Sequence, residues 1–122
     1  MSDCVLYVKI AGFMKKWILE YWVDSSGKCS IECWLLRLTR EQFKAVSKEL
    51  KLLEIGGADL RLPHSRALGK GLFELREQSF GYRIYYGFYV NRIIILLHAG
   101  GKDQQKNDIK IARIRLSKIQ EN

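Results

Sequence analysis

The chain has 122 residues, a formal net charge of +8, 48% hydrophobic and 11% aromatic residues and a single proline, the composition of one folded domain rather than of a disordered or repeat-built chain. No apolar run approaches the roughly 20 residues of a membrane span, and the opening MSDCVLYVKIAGFMKK has neither a basic start nor a cleavage-like site, so no membrane and no secretory leader are expected. Cys4, Cys29 and Cys33 are odd in number and lack zinc-ligand spacing, which reads as reduced thiols in a cytoplasm, with no metal and no cofactor.

The first element is KWILEYWV (16–23), whose alternation predicts a strand, followed by DSSGK as its turn. Ser30 is placed to cap a short helix through Trp34, Leu35 and Leu38. Thr39-Arg-Glu-Gln42 is a capping-box pattern, and Phe43, Val46, Leu50 and Leu53 then fall on one stripe of an amphipathic helix that Gly56-Gly57 stops. ADLRLPHSRALGKG reads as loop. Strands follow at 72–78, 82–90 and 93–98, and the tail DIKIARIRLSKI predicts a helix with Ile109, Ala112, Leu116 and Ile119 on one face and Lys106, Lys110 and Arg113 on another. The order is β-α-α-β-β-β-α, one α+β domain over 1–122. Met14-Lys15-Lys16 precedes the first strand, which makes residues 1–13 a candidate N-terminal extension.

Charge is unevenly placed. Residues 1–60 hold 9 Lys or Arg against 8 Asp or Glu, while residues 61–122 hold 12 against 5, so the second half carries +7 of the total +8. A basic excess confined to one half points to a polyanion or an acidic protein partner.

Alternation places Arg83, Tyr85, Gly87 and Tyr89 on one face of their strand and Tyr82, Ile84, Tyr86, Phe88 and Val90 on the more apolar one. A two-residue turn at Asn91-Arg92 pairs Val90 with Ile93, which sets Tyr85 opposite His98 and Arg83 opposite Gly100. With Phe73 and Leu75 facing the core, Glu74 and Arg76 point outward and Arg76 stands beside Arg83. Three separated segments thus deliver Arg76, Arg83, Tyr85 and His98 to one sheet face. Gly100 and Gly101 let the chain turn there and leave the backbone open to a ligand, with Lys102, Gln105 and Lys106 at the rim.

GLFELREQSFGYRIYYGFYVNRIIILLHAGGKDQQKNDIKIARIRL (71–116) carries a family resemblance. Its G-L-x-E-L-R, G-Y-R-I-x-Y and I-x-L-L-x-x-G-x-K blocks, in that order, resemble toxins of the RelE/HigB type from bacterial type II toxin–antitoxin pairs, specifically the phage-derived, host-killing branch, and the resemblance runs from about Met14 to Leu116. It implies a small antiparallel sheet with two N-terminal helices packed on one face and a C-terminal helix, and metal-independent cleavage of mRNA, in many members on the ribosome, leaving a 2′,3′-cyclic phosphate. It also implies a cognate antitoxin, commonly of helix-turn-helix type, that supplies carboxylates to the basic face.

Arg83 matches the family's arginine at the scissile phosphate, Arg76 a basic residue on the neighbouring strand, and Lys102 the basic rim loop. Glu74, Asp103 and Ile109 depart from some relatives, which leaves the general base open between His98 and Lys102 or Lys106. Guanidinium suits the phosphate role because it offers two parallel donors. Tyr85 and Tyr89 are candidates for base stacking, and Gln105, Lys106, Lys110 and Arg113 for RNA contact. As an outward side chain, Arg83 is expected to contribute little to stability. The alternatives are a non-catalytic RNA- or ribosome-binding module of the same fold and a gyrase-poisoning toxin of the ParE type.

Overall fold

The computed structural model describes residues 16–120. The N-terminal extension assigned to residues 1–13, and Cys4 within it, lie outside these. Strand β1 (Ile18–Tyr21) leads through the Asp24–Lys28 turn to helix α1 (Ser30–Leu36) and helix α2 (Arg40–Gly56). Strands β2 (Ser65–Gly69), β3 (Leu72–Arg76), β4 (Arg83–Tyr89) and β5 (Ile93–Gly100) follow, then a 3-10 turn over Lys102–Gln104 and helix α3 (Gln105–Gln120). The sheet order is β1-β5-β4-β3-β2, with β1 parallel to β5 and all other pairs antiparallel.

Local chemistry accounts for the helix boundaries. At α2 the capping box forms as its residues dictate: the Gln42 N–H donates to Thr39 Oγ1 at 3.2 Å, and the Thr39 N–H donates to Gln42 Oε1 at 2.9 Å. The cap of α1 falls one residue earlier than expected, on Cys29, whose Sγ accepts from the Glu32 N–H at 3.4 Å. Gly57 ends α2 at φ +48, where a Cβ would lie 1.9 Å from Trp17 Nε1. That close approach docks β1 onto the end of α2, helped by the Trp17 N–H donating to the Glu54 carbonyl at 2.8 Å.

Both faces of the sheet are covered. On one, Ile31 and Leu35 of α1 and Val46 and Leu53 of α2 pack on Leu75, Ile84, Tyr86, Ile94 and Leu96. On the other, Ala112 and Leu116 of α3 pack on Leu72, Tyr85 and Leu97. Each fully buried leucine or isoleucine contributes on the order of 1.5–3 kcal/mol. The two N-terminal helices therefore share one face, as expected, and the C-terminal helix covers the other. Phe43 also departs from its expected stripe and stays half-exposed.

Two differences from the sequence reading concern strands. Ser65–Gly69 lies in the stretch read as loop, yet it pairs antiparallel with β3, Ser65 opposite Leu75 and Arg66 opposite Glu74. SRALG lacks alternation, and it becomes a strand because Gly69, Lys70 and Gly71, all at positive φ, fold it back on β3. In the β4–β5 hairpin, Asn91 and Arg92 do take positive φ, but Tyr89 rather than Val90 pairs with Ile93. A bulge at Leu97 absorbs the offset, so Tyr85 still faces His98 and Arg83 still faces Gly100.

Candidate phosphate-binding and catalytic site

The ends of β3 and β5 and the start of β4 meet at one end of the sheet, on its three inner strands. Arg76 pairs with Arg83, which pairs with Gly100, and one row deeper Glu74 pairs with Tyr85, which pairs with His98. Alternation puts all of these on the α3 side. The first turn of α3 closes over them with Gln105 and Asp108, so this face is a buried polar layer rather than an open one.

Glu74 is 0% exposed and Arg83 7%. Glu74 Oε1 lies 3.6 Å from Arg83 Nε and 3.7 Å from Arg76 Nε, and Gln105 Nε2 donates to Glu74 Oε2 at 2.7 Å. Arg83 also donates through Nη1 to the Tyr82 carbonyl at 3.2 Å. Arg76 is the open member of the pair, its side chain 31% exposed. The expectation that Arg83 points freely outward is thus corrected: α3 and Glu74 enclose it.

His98 has both ring nitrogens engaged. Nε2 lies 2.8 Å from Asp108 Oδ1, a carboxylate oxygen that accepts, so Nε2 is the donor, and Nδ1 faces Arg115 Nη1 at 3.2 Å. Arg115 also donates to the Leu97 carbonyl at 2.7 Å and to Ser30 Oγ at 3.1 Å, with its guanidinium over Trp22. Burial draws the Arg115 guanidinium below its usual pKa, against the opposing pull of Asp24 and Cys29. This network explains Gly100: a Cβ there would meet Asp108 Oδ2 at 2.2 Å. The backbone is bare at Gly100 for the Asp108 carboxylate, not for a ligand, whereas Gly101 has open space around it.

Tyr85 is 0% exposed, packed against Leu72, Leu97, Ala112 and Leu116, so its ring offers no face to a base. Burial raises its phenol above the ordinary value, with Glu74 and Asp108 adding to the shift and Arg83 opposing it. Tyr89 is exposed but pairs with Ile93 at the opposite end of β4, some six residues or about 20 Å from Arg83. Arg113 turns back to the sheet edge, donating to the Leu68 carbonyl at 2.7 Å and the Gly69 carbonyl at 3.2 Å. Neither Tyr85, Tyr89 nor Arg113 joins the cluster as an RNA-contacting side chain.

Lys102 and Lys106 do flank it. Lys102 lies against Gly81, in the loop that leads into Arg83, and both lysines are exposed on a shallow depression of 410 Å³ formed by residues 102–107. Lys110 is exposed one turn further along α3. Asp108 and Arg115 were missed as members of this layer although the helical period shows them: Asp108, Ala112, Arg115 and Ile119 share one stripe. His64 has a partner too, Glu49 Oε1 at 2.8 Å from Nδ1, beside a groove of 680 Å³ between α2 and the β3–β4 loop.

A five-stranded sheet with α1 and α2 on one face and α3 on the other is a RelE-like fold. The chain superposes on the isolated RelE toxin of E. coli with a TM-score of 0.51 at 15% identity, over 80% of this chain and 98% of that one. Residues 33–117 match the family described as Phage derived protein Gp49-like, and the chain belongs to that family. It is also 32% identical over 88 residues to an uncharacterized protein of Haemophilus influenzae, spanning 70% of this chain and 84% of that protein.

Proposed function

We propose that the chain is the toxin of a type II toxin–antitoxin pair and an endoribonuclease that cleaves mRNA on the ribosome, inhibiting translation. The observation that carries the reading is the facing pair Arg76 and Arg83 at one end of the sheet, bordered by exposed Lys102 and Lys106, on a RelE-like fold. In the reaction the 2′-oxygen of one ribose bonds to the adjacent phosphorus as its proton leaves to a base. The bond from phosphorus to the 5′-oxygen breaks, and that oxygen takes up a proton, giving a 2′,3′-cyclic phosphate and a free 5′-hydroxyl. Arg76 meets the phosphate directly, and Arg83 adds charge from behind it as negative charge builds on the phosphorane. With both His98 nitrogens occupied, the geometry favours Lys102 for proton transfer and gives His98 the task of holding Asp108. The cognate antitoxin, commonly of helix-turn-helix type, neutralises the toxin by laying carboxylates on the same lysine rim.

The near-complete enclosure of Arg83 and its neutralisation by Glu74 favour a second reading, an RNA- or ribosome-binding module that does not cleave. Incubating defined mRNA with the purified protein, with and without translating ribosomes, separates the two. Cleavage lost in Arg76→Ala supports the nuclease. Inhibition of translation with intact mRNA supports the module.

A further inference from the structure

We propose that Glu74 is the positioning residue of the arginine pair, a buried carboxylate that fixes the direction in which Arg76 presents its outer nitrogens to a phosphate and holds Arg83 in place behind it. The inference rests on the RNA-cleavage reading and deepens it. A carboxylate with no exposure is costly to bury unless charges and hydrogen bonds surround it. Glu74 meets that condition by dividing its oxygens, Oε2 to Gln105 and Oε1 to the two Nε atoms at 3.6 and 3.7 Å. Both guanidiniums are thus approached from the Nε side. Those separations are longer than hydrogen bonds, and Glu74 Oε1, Arg76 Nε and Arg83 Nε are buried without other hydrogen-bond partners, so the attraction is mainly that of charge.

Like charges on directly facing strand residues repel, and Arg76 faces Arg83. The carboxylate between them is what allows both to stand at the same end of the sheet. It cannot serve as the general base, since both oxygens are committed and sealed from solvent. Through Gln105 it also ties the pair to the first turn of α3, next to the Lys102–Lys106 rim.

Glu74→Gln retains the size of the side chain and an acceptor for Gln105 but removes the charge. In that variant the arginines are expected to splay, and turnover to fall by about 10²-fold, the scale of one misplaced transition-state donor. Affinity for RNA should rise roughly several-fold at low salt, because the site gains net positive charge. Glu74→Asp should return the affinity to the wild-type value and recover part of the turnover. The experiment measures kcat on ribosome-bound mRNA and Kd for a short single-stranded RNA, per folded molecule, together with the Nε–H nuclear magnetic resonance signals of Arg76 and Arg83. Those signals are expected to move toward solvent-like positions in Glu74→Gln, a change that a merely structural role would not produce alongside tighter binding. A folded Glu74→Gln protein with wild-type turnover and unmoved arginine signals overturns the proposal. Should that variant fail to fold, Gln105→Leu, which frees Oε2, is expected to shift the same signals, and unmoved signals there overturn it equally. If the wild type cleaves no RNA while the signals still move, the cleavage reading fails and the hold of Glu74 on the arginines stands.

Discussion

Arg83 and Arg76 face each other on adjacent strands but differ in what surrounds them. Deleting one partner of a buried ion pair leaves the other charge uncompensated, so Arg83→Ala is expected to cost about 3–5 kcal/mol of stability, visible as a lower urea midpoint. Arg76→Ala, with a partly exposed side chain, should cost about 1 kcal/mol or less and still remove cleavage. An Arg83→Ala protein as stable as wild type would contradict the enclosure by Glu74 and α3. Tyr85 makes the opposite case, because its hydroxyl is buried without a hydrogen-bond partner. Tyr85→Phe is therefore expected to leave stability unchanged or raise it by up to about 1 kcal/mol. Burial also raises the phenols of Tyr85 and Tyr86 above the ordinary tyrosine value, with the Ser65 hydrogen bond opposing the shift at Tyr86. A raised folded pKa gives stability that is complete below the unfolded value and declines as pH climbs past it, so unfolding free energy should fall above pH ~10. Tyr85→Phe should flatten that fall, and an unaltered alkaline limb would show that Tyr85 does not carry it.

Among the elements, those whose pattern is local were legible in the sequence and those created by pairing were not. The capping box of α2 and the apolar stripe of α3 follow from side chains a few residues apart, and both formed as read. β2 does not, because nothing within SRALG alternates and its strand character comes from β3 alongside it. The β4–β5 register came out right at the site through two compensating features, a turn offset by one residue and a bulge at Leu97, that no alternation pattern displays. The same gap explains the misreading of Gly100. Its bareness looked like room for a ligand, but α3 brings Asp108 there from outside the strand pattern. Gly100→Ala is accordingly expected to destabilise by about 1–3 kcal/mol through overpacking. Gly101→Ala has open space and an ordinary φ of −85, and should be neutral or stabilise by about 0.4–1 kcal/mol. Equal midpoints for the two variants in thermal or urea unfolding would remove Asp108 from its assigned place.

For the molecule as a whole, the +7 excess of the second half was visible in the sequence, but its division between interior and surface was not. Arg83 and Arg115 are spent inside on Glu74 and on His98 with the Leu97 carbonyl, and Arg113 on β2 carbonyls. Lys102, Lys106 and Lys110 remain exposed around the start of α3, the segment whose Gln105 holds Glu74 of the arginine cluster. Exposed cations that meet phosphate release counterions, and each contact to a single strand adds about 0.7 to the slope of log K against log salt. Replacing the three lysines by alanine should therefore lower that slope for a short single-stranded RNA by about 2, with folding little changed because none is buried. Arg113→Ala should act in the reverse sense, leaving the slope unchanged while costing about 1 kcal/mol for its lost carbonyl contacts. Binding titrations over a range of salt concentrations, with unfolding curves for each variant, measure both quantities. A slope that drops for Arg113→Ala and not for the triple lysine variant would move the RNA track from the Lys102 rim along the same face of α3 toward β2.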